Sequence, residues 1–267
     1  MNHPPLVSII MPAYNAADYI ETTLNTVFQQ TFENWELLVI DDCSTDNTLD
    51  ILKKYKECDP RVNIIKLTKN MGAPAGPRNI GILQAQAKWI AFLDADDLWH
   101  PEKLNRQLAV LNQTGAKFCS TKMIDFSGDE KPKLRDASEN QIKWISFLQQ
   151  LIKFRTPTSS VIADKALLLD HRFNESIEYK AREDLDCWLH CHEELGKSVK
   201  VMSPMMGYRI IKGQISGKKW AMFKRHLHVL QNYRFISGLL MPYPKALLFT
   251  CTHFVLAFYY RFAKGGL

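Results

Sequence analysis

From Val7 to Thr114 the sequence switches repeatedly between short apolar runs and amphipathic stretches, and this alternation limits the fold more than any other feature. Val7–Met11 reads as a strand, and Ile20, Leu24, Val27 and Phe28 follow at helical spacing. Leu37–Ile40 is a second strand and runs into Asp41-Asp42. Ser44 or Thr45 is placed to cap a helix through Leu49, Ile51, Leu52 and Tyr55. Val62–Leu67 is a third strand, Asn70–Pro77 a Gly- and Pro-rich loop, and a helix follows through Ile82 and Ala85. Trp89–Leu93 is a fourth strand, ending in Asp94-Ala95-Asp96-Asp97, and Pro101 opens a helix that stops near Gly115. Strands that alternate with helices build a mainly parallel sheet covered on both faces. Ligands of such sheets bind beyond the carboxyl ends of the strands. Both aspartate clusters fall at such ends.

The later chain gives weaker signals. Lys117–Ile124 reads as a strand, Phe126–Asn140 as a polar loop, Ile142–Phe154 as a helix and Ser159–Ile162 as a strand. An amphipathic helix opens near Arg182-Glu183-Asp184, with Trp188 and Leu189 as its core anchors. Short strands at Val199–Met202 and Tyr208–Ile211 follow.

Charge divides the chain more sharply than its net +6 suggests. All 28 acidic residues lie at or before Glu194, so the first 194 residues carry −6; the last 73 carry 12 Lys and Arg and no acid. A basic edge of this kind points to an anionic partner. The six cysteines show no disulfide-like rhythm and no export signal is in view, so reduced thiols in the cytosol are expected. Ala246–Tyr260 is free of formal charge, but its 15 residues fall short of the ~20 apolar residues of a spanning helix.

An Asp-x-Asp at the end of an apolar strand suits Mg²⁺ or Mn²⁺, which takes one or two carboxylates and fills its other positions with phosphate oxygens and water. Asp96 is assigned as the main metal ligand, Asp94 as a ribose ligand or a partner of the metal through water, and Asp97 as a helix cap.

The ordered motifs then show a family likeness. Val7-Ser8-Ile9-Ile10-Met11-Pro12-Ala13-Tyr14-Asn15, Gln29-Gln30-Thr31, Trp35-Glu36 and Val39 through Asp46 resemble family 2 glycosyltransferases of the GT-A fold. So do Arg78-Asn79, Phe92 through Trp99, Pro101-Glu102-Lys103-Leu104 and Arg182-Glu183-Asp184. The likeness is dense over 6–111, sparse over 112–180, and returns at 182–216, where Tyr208-Arg209 and Ile215-Ser216 are similar to the branch that builds bacterial surface polysaccharides. It implies an α/β GT-A fold, a single Rossmann-like nucleotide-diphospho-sugar transferase domain with a mixed, mainly parallel sheet. That domain spans 1–215, with a nucleotide-sugar half at about 1–115 and an acceptor half at about 116–215. A basic amphipathic helical tail at 216–267 follows.

The resemblance also implies roles. Pro12, Ala13 and Tyr14 form the wall against the base, with Tyr14 supplying an aromatic face. Asp42 reads the base; a carboxylate only accepts hydrogen bonds, so it favours a ring N–H, as in uracil, thymine or guanine. Arg78 flanks base and diphosphate from its loop. Asp184 is the catalytic base that takes the proton of the attacking acceptor hydroxyl, with inversion at the anomeric carbon. Two departures stand out: Pro77 replaces a small residue, so Ala75-Gly76-Pro77 is expected to reshape the base-side loop, and Ile211-Lys212 replaces a phosphate-reaching histidine.

The expected activity is metal-dependent transfer of a sugar from a nucleoside-diphosphate donor, a UDP-sugar first, onto a lipid-linked glycan or lipopolysaccharide acceptor. Two other classes compete. A nucleotidyltransferase needs a Gly-rich triphosphate loop where Pro12–Asn15 stands, and a non-catalytic nucleotide-sugar binder has no use for Asp184. Cys187, His190, Cys191 and His192 do not converge from one helix, so no structural zinc is expected. The tail has no nucleic-acid module, and nucleic acid is not expected as a partner. Leu247, Leu248, Cys251, Phe254, Val255, Phe258 and Phe262 form an apolar stripe, with Thr250, His253, Ala257, Tyr260 and Lys264 opposite. Beside Lys218, Lys219, Lys224, Arg225 and Arg234, this stripe suits an anionic membrane surface. The expected location is the cytoplasmic, inner face of the bacterial plasma membrane, with packing of the tail on the protein or in a homo-oligomer as the competing reading.

Overall fold

The computed structural model describes residues 4–128, 132, 134, 141–153, 156–211 and 219–263. Its first half follows the alternation of the sequence: β1 (Val7–Ala13), α1 (Ile20–Phe28), β2 (Trp35–Asp41), α2 (Thr48–Cys58), β3 (Val62–Lys66), α3 (Ala75–Gln84) and β4 (Trp89–Phe92). A short β5 (Leu98–Trp99), α4 (Lys103–Thr114) and β6 (Phe118–Phe126) come next. Then come β7 (Ile142–Ser146), α5 (Phe147–Ile152), β8 (Ile162–Asp164) and α6 (Lys165–Asp170). The chain ends with α7 (Glu183–Leu195), β9 (Lys197–Arg209), α8 (Lys219–Asn232) and α9 (Tyr243–Ala263).

Among the described residues all nine strands join one sheet, in the order β3-β2-β1-β4-β8-β6-β9-β5, with β7 also paired to β9. β3, β2, β1 and β4 are mutually parallel; β8 runs antiparallel to both β4 and β6, and β6 is parallel to β9. Alternate residues of the central strands feed opposite faces, as pleating requires. Ile9 and Met11 pack with Leu24, Leu52 and Leu104 on one face, while Ile10 and Ile40 pack with Ile82, Leu168 and Trp188 on the other. Burial on both faces explains why these strands read as continuous apolar runs. At Gly81 α3 touches the sheet so closely that a Cβ would lie 2.5 Å from Ile10 Cγ2.

Three local expectations need correction. Neither Ser44 nor Thr45 caps α2; Asp46 Oδ1 accepts from the Thr48 N–H (3.0 Å), while Ser44 Oγ accepts from the Asn15 N–H (3.0 Å). The stretch read as one helix from Ile142 splits, because Ile142–Ser146 pairs with β9 before Ser146 forms a capping box with Gln149 at the start of α5. Val199–Met202 and Tyr208–Ile211 are not separate strands; Lys197–Arg209 is one strand that pairs with β6 across a register shift. Trp188 and Leu189 are fully buried, as expected of core anchors.

The tail packs against α5 and α7 through a third core cluster that includes Leu151, Leu185, Leu189, Val229, Tyr233 and Ala246. The inward face of α9 is the milder one, with Ala246, Thr250 and His253 buried. Most of the apolar stripe faces outward: Leu248 is 62%, Val255 67% and Phe258 61% exposed. Phe254 departs from the stripe and packs on Phe223 (ring centroids 5.3 Å apart). Among the described residues no helix is long and apolar enough to cross a membrane.

Candidate active site

Because β1, β2 and β4 are parallel, the loops after them open at one edge of the sheet. Two of those loops are cross-linked there: Asn15 Oδ1 accepts from the Thr45 N–H (2.8 Å), and the Ala17 N–H donates to Asp46 (3.0 Å). Asn15 (φ 47°) and Cys43 (φ 61°) adopt left-handed backbone at this edge, and Ala181 (φ 64°) does so just before Arg182-Glu183-Asp184. Non-glycine residues in this region store strain, which clusters at ligand clamps and active sites.

Arg78 joins the aspartate loop to the helix that carries Asp184. Its Nη2 donates to Asp94 Oδ1 (2.6 Å) and its Nη1 to Glu183 Oε1 (3.0 Å), with the guanidinium only 4% exposed. A second tie comes from the 3₁₀ turn at Thr158–Ser160. Thr158 Oγ1 donates to Asp184 Oδ2 (3.4 Å), while Ser159 Oγ donates to Asp97 Oδ2 (2.5 Å) and accepts from the Asp94 N–H (3.0 Å). Two consecutive hydroxyls therefore hold the candidate base and the aspartate loop in one frame. Arg209 closes the other side, its backbone N–H donating to Asp97 Oδ1 (3.1 Å) and its Nε to the Asp96 carbonyl (2.9 Å).

Burial then shapes the acidity of these groups. Burial, with neighbouring Glu183 second, pushes Asp184 up to about 6 against the pull of Arg182 and Arg78. Burial and the Asp94 charge push Asp96 up to about 6. Asp97 is held well above the carboxylate range by burial and by Asp96 and Asp94. It is not a helix cap as expected: α4 starts only at Lys103, and Asp97 is a buried acceptor for Ser159 and Arg209.

The other expected residues are placed as follows. Tyr14 is 54% exposed at the edge, and Pro12 is half-buried behind it. Ala13 cannot offer a side-chain wall, because its methyl belongs to the core; its carbonyl accepts from the Asp42 N–H (2.8 Å). Asp42 is nearly buried, raised by burial, and accepts from the Met71 N–H (2.8 Å). Arg78 lies in the first turn of α3 rather than in a loop. Pro77 fits beside it because first-turn residues need no intrahelical N–H bond. Residues 75–77 are the first residues of α3. Lys212 and Ile215-Ser216 lie outside the described residues. Sequence reasoning missed Thr158, Ser159 and the bridging role of Glu183; the hydroxyl run Thr156 to Ser160 beside an apolar strand was the available signal.

Asp94 and Asp96 fit a hard divalent cation of the Mg²⁺ type. Among the described residues no three His, Cys, Asp or Glu side chains form a cage for an ion. Two carboxylates with room for phosphate and water match a cation that arrives with its diphosphate. Burial and the Asp94 charge raise the pKa of Asp96, and a bound cation would offset both.

A family model described as Glycosyl transferase family 2 matches residues 8–174. This chain belongs to that family. Its glycosyltransferase relatives include TuaG of Bacillus subtilis, whose name assigns it provisionally to teichuronic acid biosynthesis: 33% identical, covering 84% of this chain and 86% of TuaG. WfaP of Escherichia coli, named UDP-Glc:alpha-D-GlcNAc-diphosphoundecaprenol beta-1,3-glucosyltransferase, is 32% identical over 85% of this chain and 86% of its own. Among solved structures, residues 1–349 of Staphylococcus aureus TarS with UDP-GlcNAc superpose with a TM-score of 0.68 at 23% identity, over 93% of this chain and 72% of that one. A Pyrobaculum calidifontis mannosyltransferase, solved with GDP-Man and Mn²⁺, gives 0.62 at 18% identity, over 96% and 75%. The likeness to these structures shows the GT-A-like fold. Family membership makes the protein a glycosyltransferase, an enzyme, which sets aside both the nucleotidyltransferase and the non-catalytic binder.

Proposed function

We propose that this family 2 enzyme is a metal-dependent inverting glycosyltransferase of bacterial cell-surface polysaccharide synthesis. It moves a sugar from a UDP-sugar to a lipid-linked glycan or lipopolysaccharide acceptor. The observation that carries the reading is the frame in which Arg78 and the Thr158-Ser159 turn tie Asp184 to Asp94 and Asp97. In that frame a base and a diphosphate-facing aspartate loop share one sheet edge. Tyr14 presents its ring to the base, and the Asp42 carboxylate accepts from a ring N–H of uracil. The relatives named for a UDP-sugar and a diphosphoundecaprenol acceptor support this choice of substrates.

Asp96, with Asp94, would hold Mg²⁺ or Mn²⁺, which when bound supplies positive charge for the departing nucleoside diphosphate. Asp184 accepts the proton of the acceptor hydroxyl as that oxygen attacks the anomeric carbon. At pH 7 a carboxylate pushed up to about 6 is still mostly ionised, yet is a stronger base than an ordinary aspartate. Arg78 fixes the orientation of Asp94 from behind, and Glu183 anchors Arg78 in turn. Glu183 and Asp184 therefore divide the work, one structural and one chemical.

The outward stripe of α9, beside Lys224 and Lys245, supports attachment of the enzyme to the cytoplasmic face of an anionic membrane. Asp184→Asn tests the central claim: the variant should keep its stabilisation by UDP with Mn²⁺ and lose sugar transfer by about 10²–10⁴-fold. Full transfer by the variant would remove Asp184 from the mechanism. If neither UDP, GDP nor dTDP stabilises the wild type with Mn²⁺, the donor assignment fails.

A further inference from the structure

Between the 3₁₀ turn at Ile177–Tyr179 and α8 lies a cleft of ≈ 530 Å³ to which the transfer chemistry assigns no role. Ile177 and Glu178 line it from the turn, and Arg225, Leu227, His228 and Gln231 from α8. Lys224 also borders it and holds its ammonium 5.7 Å from the centre of the Trp220 ring. The Glu178 carboxylate and the Gln231 amide are exposed there. Arg225 is partly buried, and its Nη1 is wholly buried without a hydrogen-bond partner among the described residues. The His228 ring is fixed in place: it stands edge-on to Tyr179 (5.5 Å), its Nδ1 lies 3.4 Å from Asn232 Nδ2, and its Nε2 lies 3.3 Å from Glu178 Oε2.

This lining both donates and accepts. A guanidinium only donates, a carboxylate only accepts, and an amide does both. A sugar hydroxyl is likewise donor and acceptor at once, and the C–H faces of a sugar ring suit apolar neighbours such as Ile177 and Leu227. A phosphate only accepts, and Glu178 would meet it as a like charge. The buried Arg225 N–H is unfavourable until an acceptor oxygen reaches it. The cleft is also close to the candidate base. Glu178 and Asp184 are six residues apart, a distance of at most about 22 Å even for an extended chain. Two turns shorten it, with the Lys180 N–H donating to the Ile177 carbonyl (3.2 Å) and the Arg182 N–H to the Tyr179 carbonyl (2.7 Å). The donor motifs lie elsewhere, on β1, β2 and β4 and in the loops after them, so a bound donor leaves the cleft free.

We infer that this cleft is an acceptor subsite, which binds a sugar of the acceptor glycan next to the one whose hydroxyl is presented to Asp184. Arg225, Glu178 and Gln231 hydrogen-bond its hydroxyls, and Ile177 and Leu227 pack on its ring. The assignment rests on the proposed transfer to a glycan acceptor and adds the residues that select that acceptor. They touch it away from the reacting atoms, so they govern which glycan is used and leave the chemistry to Asp184. It also gives α8 a purpose within the reaction, as one wall of the acceptor path.

An array of bacterial-surface oligosaccharides with hexose, N-acetylhexosamine and uronate units tests the subsite on the full-length protein in UDP and Mn²⁺. The best-bound fragment is then titrated by calorimetry. The wild type should bind at least one fragment of two or more sugars. Arg225→Gln should raise its Kd by roughly ten- to a hundredfold, and Glu178→Gln by about threefold or more. Both variants should keep the thermal stabilisation by UDP with Mn²⁺. If Arg225→Gln does not fold, the exposed Glu178 carries the test. Absence of glycan binding by the wild type overturns the inference, as does binding that the folded variants keep undiminished. Inorganic pyrophosphate in EDTA checks the chemical class: binding that Arg225→Gln weakens and Glu178→Gln strengthens would mark a phosphate site and overturn the inference as well. A wild type without a UDP shift strikes the donor reading instead, and the array is then read without nucleotide, so the two failures are distinguishable.

Discussion

Arg78→Met should be far more damaging than a surface arginine replacement, and the reason lies in what it leaves behind. The guanidinium is 4% exposed and meets Asp94 at 2.6 Å and Glu183 at 3.0 Å. Glu183 is buried, and its second oxygen already lacks a partner. Removing the cation leaves a buried carboxylate with neither hydrogen bond nor counter-charge, a change that typically costs about 3–5 kcal/mol. At about 2–4 °C per kcal/mol for a chain of this size, the melting temperature should fall by ~6–20 °C. A second effect is electrostatic. The Arg78 charge lowers the pKa of Asp184 and of Asp96, so its loss raises both. Asp184 must be ionised to act as a base. The acid limb of kcat/KM, set near pH 6 in the wild type, should therefore move to higher pH in the variant, and activity at pH 7 should drop. Glu183 pushes Asp184 in the opposite direction, so Arg78→Met with Glu183→Gln should recover part of the stability and return the limb toward its original position. Urea denaturation and pH–rate profiles of the two variants read both effects. A stability loss below about 1 kcal/mol together with an unmoved acid limb would refute the bridge as the element that couples the two halves of the site.

The remaining expectations concern separate contacts. In the wild type kcat/KM should fall about tenfold per pH unit below pH 6 as Asp184 takes up its proton, and a rate that is flat down to pH 5 would exclude it as the base. Ser159→Ala removes a donor to buried Asp97 and should lower stability by about 1–3 kcal/mol, measured by denaturant titration. Gly81→Ala places a methyl 2.5 Å from Ile10 and should be destabilising by about 1–3 kcal/mol, with Ile10→Val relieving part of the loss. Val255→Glu with Phe258→Glu should abolish flotation with anionic vesicles while leaving the melting temperature within about 2 °C, because both side chains face outward; unchanged flotation would count against the α9 surface as the membrane contact.

The nucleotide half of the fold was legible because its signals are local. Strands buried on both faces must be apolar throughout, and Asp41-Asp42 and Asp94-Asp96 stand at their ends in the linear order. The later half was less legible because its strands depend on distant partners. Ile142–Ser146 is a strand only through its pairing with β9, and nothing in its own pattern separates it from the helix that follows. Asp97 reads as a cap by proximity to Pro101, yet its partners Ser159 and Arg209 lie 62 and 112 residues further along the chain.

By itself, then, the sequence determined the parallel nucleotide-binding half, the family likeness and the acidic and basic division of the chain, since periodicity, composition and short motifs are properties of neighbouring residues. The tertiary structure decided what long-range contact alone can decide. It turned Arg78 from a loop residue into a buried bridge between carboxylates 16 and 105 residues away. It also turned the milder face of α9 inward, because Ala246, Thr250 and His253 fit the close approach to α5 and α8, while bulky Leu248, Val255 and Phe258 were left for the outer surface.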